Sequence, residues 1–231
     1  MGQSVKSINA EMMTLLMSNK MFDGFTSEEV RGICSVMQLF IKCAPKDTVV
    51  IAEGDDAGFA GLVSRGKISA TKITGDGNAH ILALHEAGDI IGLDGALTNP
   101  CTSPMTFTAL EDSEVLFLGI NAIFSERLEP IIANRILRNL NIMLADKCVR
   151  LLYKTEVLSK RSLRVRIMTF LRIQQRKQES NTLTLKMDRE QFAQYLCVNR
   201  SALSRELSLM RRDGLIRIEP NGAITVKPPD F

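Results

Sequence analysis

Residues 187–227 read MDREQFAQYLCVNRSALSRELSLMRRDGLIRIEPNGAITVK. Asp188, followed three residues on by Gln191, is a capping-box variant that opens a helix. That helix turns Phe192 and Leu196 inward, with Ala193 small enough for another helix to cross close by. Cys197, Val198 and Asn199 make a tight turn, and Asn199 is a good N-cap for a second helix. On this second helix Leu203, Leu207 and Met210 recur at i, i+4, i+7 and face inward. Arg200, Ser201, Ser204 and Arg205 therefore point out from its first turns. Two short helices joined by a tight turn, with polar residues at the outer N-terminal end of the second, predict a helix-turn-helix. Leu215–Glu219, the Asn221-Gly222 turn and Ala223–Lys227 then read as a hairpin, the wing of a winged helix.

The chemistry of the outward residues fits duplex DNA. An arginine on a helix laid in the major groove donates two hydrogen bonds to guanine, and serine donates or accepts with several partners. Lys186, Arg189, Arg211 and Arg212 flank the same face and suit phosphate neutralisation. Charge along the chain agrees. Residues 1–125 hold eight basic against fifteen acidic residues (net −7), whereas residues 126–231 hold 21 against 11 (net +10). A basic rear half suits a polyanion.

Upstream, Ser159–Arg176 predicts a helix with Leu163, Ile167, Phe170, Leu171 and Ile173 apolar and five arginines on the other face. Before it, the helical period runs from Glu129 to about Thr155. Leu137, Leu140, Leu144, Lys147 and Leu151 are spaced 3, 4, 3, 4, as on a coiled-coil seam. Either the chain's own domain or a second copy would cover this stripe. It runs past the edge of the preceding domain, which favours the second copy and a homodimer, with Lys147 the weak position.

The front half carries two short amphipathic helices, Ile8–Asn19 and Ser27–Gln38. After Pro45 the period becomes two: Thr48–Ala52, Gly61–Val63, Lys67–Ile73, Ala79–Leu84 and Glu114–Leu118, separated by glycine turns. Short, evenly spaced strands of this kind predict a small β-barrel or roll. The fold class is thus α+β: residues 1–125 an effector-sensing roll with N-terminal helices, 126–157 a dimerisation helix, 158–231 a winged helix-turn-helix.

The chain resembles the CRP/FNR family, the cyclic-AMP receptor protein and fumarate–nitrate regulator group of bacterial transcription factors. The resemblance spans nearly the whole length. It rests on Glu53-Gly54, Gly66, Gly75-Asp76-Gly77, His85, Gly88-Asp89 and Gly92 in the front half, on the seam helix, and on VNRSALSREL (198–207). It implies a double-stranded β-roll of the cyclic-nucleotide-binding type. It also implies base reading by Arg200, Ser201, Ser204 and Arg205, and backbone contacts from Arg189 and Asn199. The implied partners are double-stranded promoter DNA, a second copy of the chain and a small effector, with RNA polymerase a further one. Cys197 departs from the glycine usual in the turn, which strains it if that turn needs positive φ.

The family's cyclic-nucleotide members carry a Gly-Glu pair and, about ten residues on, Arg-Ser or Arg-Thr. The glutamate holds the ribose and the arginine pairs with the phosphate. Here the corresponding positions are Gly92-Leu93 and Ser103-Pro104, and no Lys or Arg occurs from Ile73 to Ile123. A buried phosphate without a cation is poorly compensated. Cyclic AMP is therefore not the expected effector. A small apolar or weakly polar ligand between Gly92–Thr108 and the seam helix is, with a cyclic-nucleotide or thiol-responsive regulator the alternative.

Other classes fare worse. Five scattered cysteines, none at C-x-x-C spacing, support neither a disulfide framework nor a zinc ribbon. Only Cys34 and Cys43 lie near the N-terminus, short of an iron–sulfur set. His80 and His85 are too few for a cupin-type metal enzyme. Gly61–Lys67 matches G-x-x-x-x-G-K, but Ile68 replaces the required Ser or Thr and a strand comes next. No nucleophile, base and orienter set is legible, and no cofactor or metal is expected. With no Trp and two Tyr, stacking platforms for single strands are disfavoured. The absence of a spanning stretch or export signal points to the cytoplasm and away from a membrane.

Overall fold

A computed structural model describes residues 2–5, 7–73, 79–185 and 187–227, of which 73 and 79–81 by their backbone alone. Lys186, Gly75-Asp76-Gly77 and the His80 side chain, all named above, lie outside the described residues. The chain divides into two compact units, Met1–Ala145 and Asp146–Phe231.

The first unit begins with β1 (Gln3–Ser4) and helices α1 (Ala10–Ser18) and α2 (Ser27–Val36). Thr26 and Glu29 close a full capping box at the start of α2. The strands are β2 (Leu39–Ala44), β3 (Val49–Ile51), β4 (Phe59–Arg65), β5 (Ile68–Ile73), β6 (Ala79–His85) and β7 (Ile90–Ile91). After the single-turn helix α3 (Leu93–Ala96) come β8 (Thr106–Ala109) and β9 (Ser113–Gly119). They form two sheets, ordered β1-β2-β9-β4-β7 and β3-β8-β5-β6. This is the β-roll. Val63, Ile68, Ala70, Phe107, Val115 and Phe117 fill the space between the sheets.

β2 and β8 are strands that the two-residue period did not announce. Leu39-Phe40-Ile41 lacks alternation, yet β2 pairs with β9 from Leu39↔Leu118 to Ala44↔Ser113. The apparent phosphate loop is strand and turn: Gly61 lies within β4, and Gly66 turns the chain at φ +91°. A Cβ on Gly66 would come 2.7 Å from the Ser113 backbone, so glycine is required there by both conformation and space.

A second core in this unit lies between the five-stranded sheet, α1, α2 and the first turns of α4 (Pro130–Leu158). Arg135 and Asn139 of α4 grip the N-terminal helices. Arg135 bonds Glu29 and the Gly24 carbonyl and sits 4.1 Å over the Phe25 ring. Asn139 donates to the Met21 and Asp23 carbonyls.

α4 corrects the reading of the seam. Leu140 is 2% exposed and belongs to the core of the first unit, with Ile136 buried beside it and Leu137 packed at its edge. It is therefore not available to a second copy. Leu144 and Lys147 are half-buried, and only Leu151 of the five is well exposed. The apolar row that α4 leaves in solvent is another one: Ile131 (70% exposed), Ile142, Ala145, Val149 and Leu152 (69%). Residues 11 and then 7 apart fall within about 20° of each other on an α-helix, so Ile131, Ile142 and Val149 line up. Two rows of 3-and-4 spacing share the helix, and the core of the first unit takes up the first part of one of them, Leu137 and Leu140.

The second unit consists of α5 (Leu163–Gln178), β10 (Thr182–Leu183), α6 (Arg189–Tyr195), α7 (Arg200–Arg212), β11 (Ile216–Ile218) and β12 (Ile224–Val226). Phe170, Phe192, Leu196, Leu203, Leu207, Met210 and Ile224 form its core, with Val157 from the end of α4. The expected hairpin is present as β11 and β12, and β10 adds a third strand on the far side of β12. A two-residue β10 is too short to show a period.

Candidate nucleic-acid interface

The helix pair is built by local hydrogen bonds. Asp188 accepts from the Gln191 amide and Gln191 reaches back to the Asp188 amide, so the capping box of α6 is complete. Cys197 occupies the left-handed region at φ +55°, the strained conformation that its replacement of glycine implies. Asn199 Oδ1 accepts from the Ala202 amide at 2.8 Å and starts α7.

Arg200, Ser201, Ser204 and Arg205 are all exposed on the first two turns of α7, with Leu203 and Leu207 buried beneath them. Arg211 and Arg212 are exposed at its far end, and Arg212 meets Asp213 only at 3.8 Å. Arg189, at the start of α6, is half-buried, and desolvation lowers its affinity for its proton. Among the described residues, no carboxylate forms an ion pair with Arg189, Arg200, Arg205 or Arg211.

Two arginines of α5 are spent internally, which the sequence reading of a basic face on α5 missed. Arg164 bonds Glu206 at 2.6 Å and Asp213 at 2.7 Å, tying α5 to α7. Arg166 donates to the Lys160 carbonyl at 2.9 Å. On the wing, Glu219 accepts from Arg217 at 2.7 Å and from Thr225 at 2.8 Å, and these bonds hold its carboxyl below the usual range. The wing tip is a three-residue loop, with Gly222 at φ +82° and the Glu219 amide bonded to the Ala223 carbonyl. Among the described residues Arg200, Arg205 and Arg211 of α7 stay outside these bonds, as do the exposed Arg172 and Arg176 of α5.

The roll's cassette is organised in the opposite sense. Gly92 caps α3 at φ +73°, and Leu93 is buried in the hydrophobic core. Ser103 is 2% exposed and donates its hydroxyl to the Met105 carbonyl at 2.7 Å. Its backbone amide bonds the Asp55 carbonyl, and its carbonyl accepts from Gly54. Pro104 is exposed, and its carbonyl accepts from Lys72 Nζ at 2.9 Å, which also pairs with Glu53 at 2.7 Å. Lys72 stands one residue before the cation-free stretch and was invisible as part of this cassette, 32 residues from Pro104.

All five cysteines are free thiols. Burial pushes Cys34 up to about 12, so it keeps its proton and is unreactive. Cys43, Cys148 and Cys197 are exposed, and Cys101 is half-buried near the Ala96 carbonyl. His85 lies near Phe107, ring centroids 5.9 Å apart. Among the described residues no group of three His, Cys, Asp or Glu could hold a metal ion, and no helix is long and apolar enough to cross a membrane.

Residues 41–126 match the family model of the cyclic nucleotide-binding domain, and residues 165–230 match that of the Crp-like helix-turn-helix domain. Together they cover well over half of the chain and define a transcription regulator that joins a nucleotide-binding-type roll to a helix-turn-helix. The chain belongs to the CRP/FNR family of such regulators. Solved structures of the same fold include FixK2 from Bradyrhizobium japonicum (21% identity, 82% of this chain and 93% of that one, TM-score 0.56). The c-di-GMP-responsive global regulator CLP of Xanthomonas campestris matches at 19% identity over 88% of this chain and 100% of that one, with TM-score 0.61. A CooA mutant from Carboxydothermus hydrogenoformans matches at 16% identity over 98% and 94%, with TM-score 0.60. No curated protein matches the chain by sequence.

Proposed function

We propose that the chain is a cytoplasmic, homodimeric regulator that reads promoter DNA with α7 and takes its signal from a small effector other than a cyclic nucleotide. One observation carries this: among the described residues, the first turns of α7 hold exposed arginines without ion pairs, while neighbouring Arg164 and Arg217 are bound to carboxylates. Desolvating an arginine already paired would cost affinity, and desolvating an unpaired one against phosphate or guanine gains it. Residues 1–125 serve as sensor, 126–157 as dimer helix and 158–231 as DNA reader. Effector binding shifts the α4 contacts and reorients two α7 helices toward half-sites about 34 Å apart, and the bound dimer can then meet RNA polymerase.

The exposed row of Ile131, Ile142, Ala145, Val149 and Leu152 supports the dimer and replaces Leu140 as its centre. Ile142→Asp with Val149→Asp should give a monomer by analytical ultracentrifugation and abolish high-affinity binding to two-half-site operators. A fully dimeric double variant would refute this placement.

The internal satisfaction of Ser103 supports an effector lodged beside Gly92, Leu93, Ser103 and Pro104 without an anionic phosphate. The family-model match over 41–126 favours a cyclic nucleotide instead. Calorimetric titration decides between them. Cyclic AMP should give no saturable heat, and a stoichiometric isotherm would restore the nucleotide reading.

A further inference from the structure

Asn199 Oδ1 accepts two hydrogen bonds, from the Ala202 amide at 2.8 Å and from Ser201 Oγ at 2.8 Å. The first identifies that atom as the oxygen end of the amide, because a backbone N–H meets only an acceptor. The second then has one polarity: the Ser201 hydroxyl donates. A serine hydroxyl carries one proton and two lone pairs. With the proton committed to Asn199, the exposed side of Ser201 can only accept.

In the major groove the exocyclic amino groups of cytosine and adenine are donors, whereas guanine O6 and N7 and thymine O4 are acceptors. We infer that Ser201 reads the amino group of a cytosine or adenine, and that Asn199 is the positioning residue that sets this polarity. Arg200 and Arg205, donors only, flank it on the same face. The first turns of α7 thus present an acceptor between two donors, suited to guanines beside a cytosine or adenine. Turning the serine to donate to guanine or thymine would break the bond to Asn199, which the preference must reflect. The inference rests on α7 being the DNA reader and adds which base chemistry one of its residues selects.

The test is site selection from randomised duplexes at low salt with the full chain. All four base pairs are then titrated at each selected position for wild type, S201A, N199D and N199G. Wild type should favour cytosine or adenine about three- to tenfold at one position, the one that S201A levels. N199D retains an acceptor for both bonds and should keep the preference, with weaker binding to every sequence. N199G is a tolerated cap and frees the hydroxyl. It should level that position to within about twofold and leave the positions read by the arginines unchanged. A wild-type preference for guanine or thymine there overturns the inference, as does an unaltered preference in N199G. If S201A spares every position, the assignment of Ser201 falls while the DNA-binding reading stands. If no duplex binds at all, the DNA-binding reading falls and takes this inference with it.

Discussion

The roll and the winged helix treat polar groups in opposite ways. At Ser103 and Lys72 the roll turns each polar atom to a partner within the chain, so that the cassette closes on itself. The second unit spends Arg164, Arg166 and Arg217 on scaffolding and, among the described residues, leaves Arg189 of α6 and Arg200, Arg205 and Arg211 of α7 without a carboxylate. A polar group already satisfied adds little to binding, whereas an exposed unpaired cation is ready for a polyanion. The contrast teaches that availability matters as much as charge: the lysine beside the roll's cassette is bound within the chain, whereas four arginines of the second unit are not.

The most drastic way to break the comparison is to remove one side of it. Phe192 is 1% exposed, 4.8 Å from Phe170 between ring centroids, and Phe192→Ala should cost the second unit about 3–5 kcal/mol. Urea unfolding followed by circular dichroism should show an early transition absent from wild type. A single unchanged transition would contradict separate cores. A sharper probe stays within the DNA face. Arg205→Ala should cost about 1–3 kcal/mol on a specific site and blunt its sequence preference. Arg189→Ala should weaken all duplexes alike and flatten the salt dependence. Equal losses for both, with preference intact, would remove Arg205 as a base reader.

The smallest effect belongs to the first unit. The Thr26 amide and then Arg135 hold the Glu29 carboxyl below its ordinary value of 4.5. A depressed carboxylate contributes stability that is fully present above the ordinary value and lost as pH falls through the depressed one. Wild type should therefore melt above Glu29→Gln at neutral pH, and the gap should narrow as pH drops below 4.5. A gap independent of pH would exclude the ionised clasp.

Much of the fold was legible because its signals are local. The capping residues Thr26, Asp188 and Asn199 bond amides three residues away, and Leu203, Leu207 and Met210 mark one face of one helix. β2 and β8 were not legible. β2 carries a run of apolar residues without alternation, and only its six-residue ladder with β9 shows it to be a strand. The seam on α4 was legible as a pattern but not as an assignment. Two apolar rows fit the same spacing, and Leu140 went to the chain's own core.

What lay in the amino-acid order was everything that needs neighbours within a turn or two: helix caps, strand alternation and the helix-turn-helix. What the folded chain alone decided was which charges are spent and which remain. Arg164 finds Glu206 and Asp213 across 42 and 49 residues, and Lys72 finds Pro104 across 32. Periodicity carries no information over such distances, because the partners are chosen by how sheets and helices pack, not by spacing along the chain.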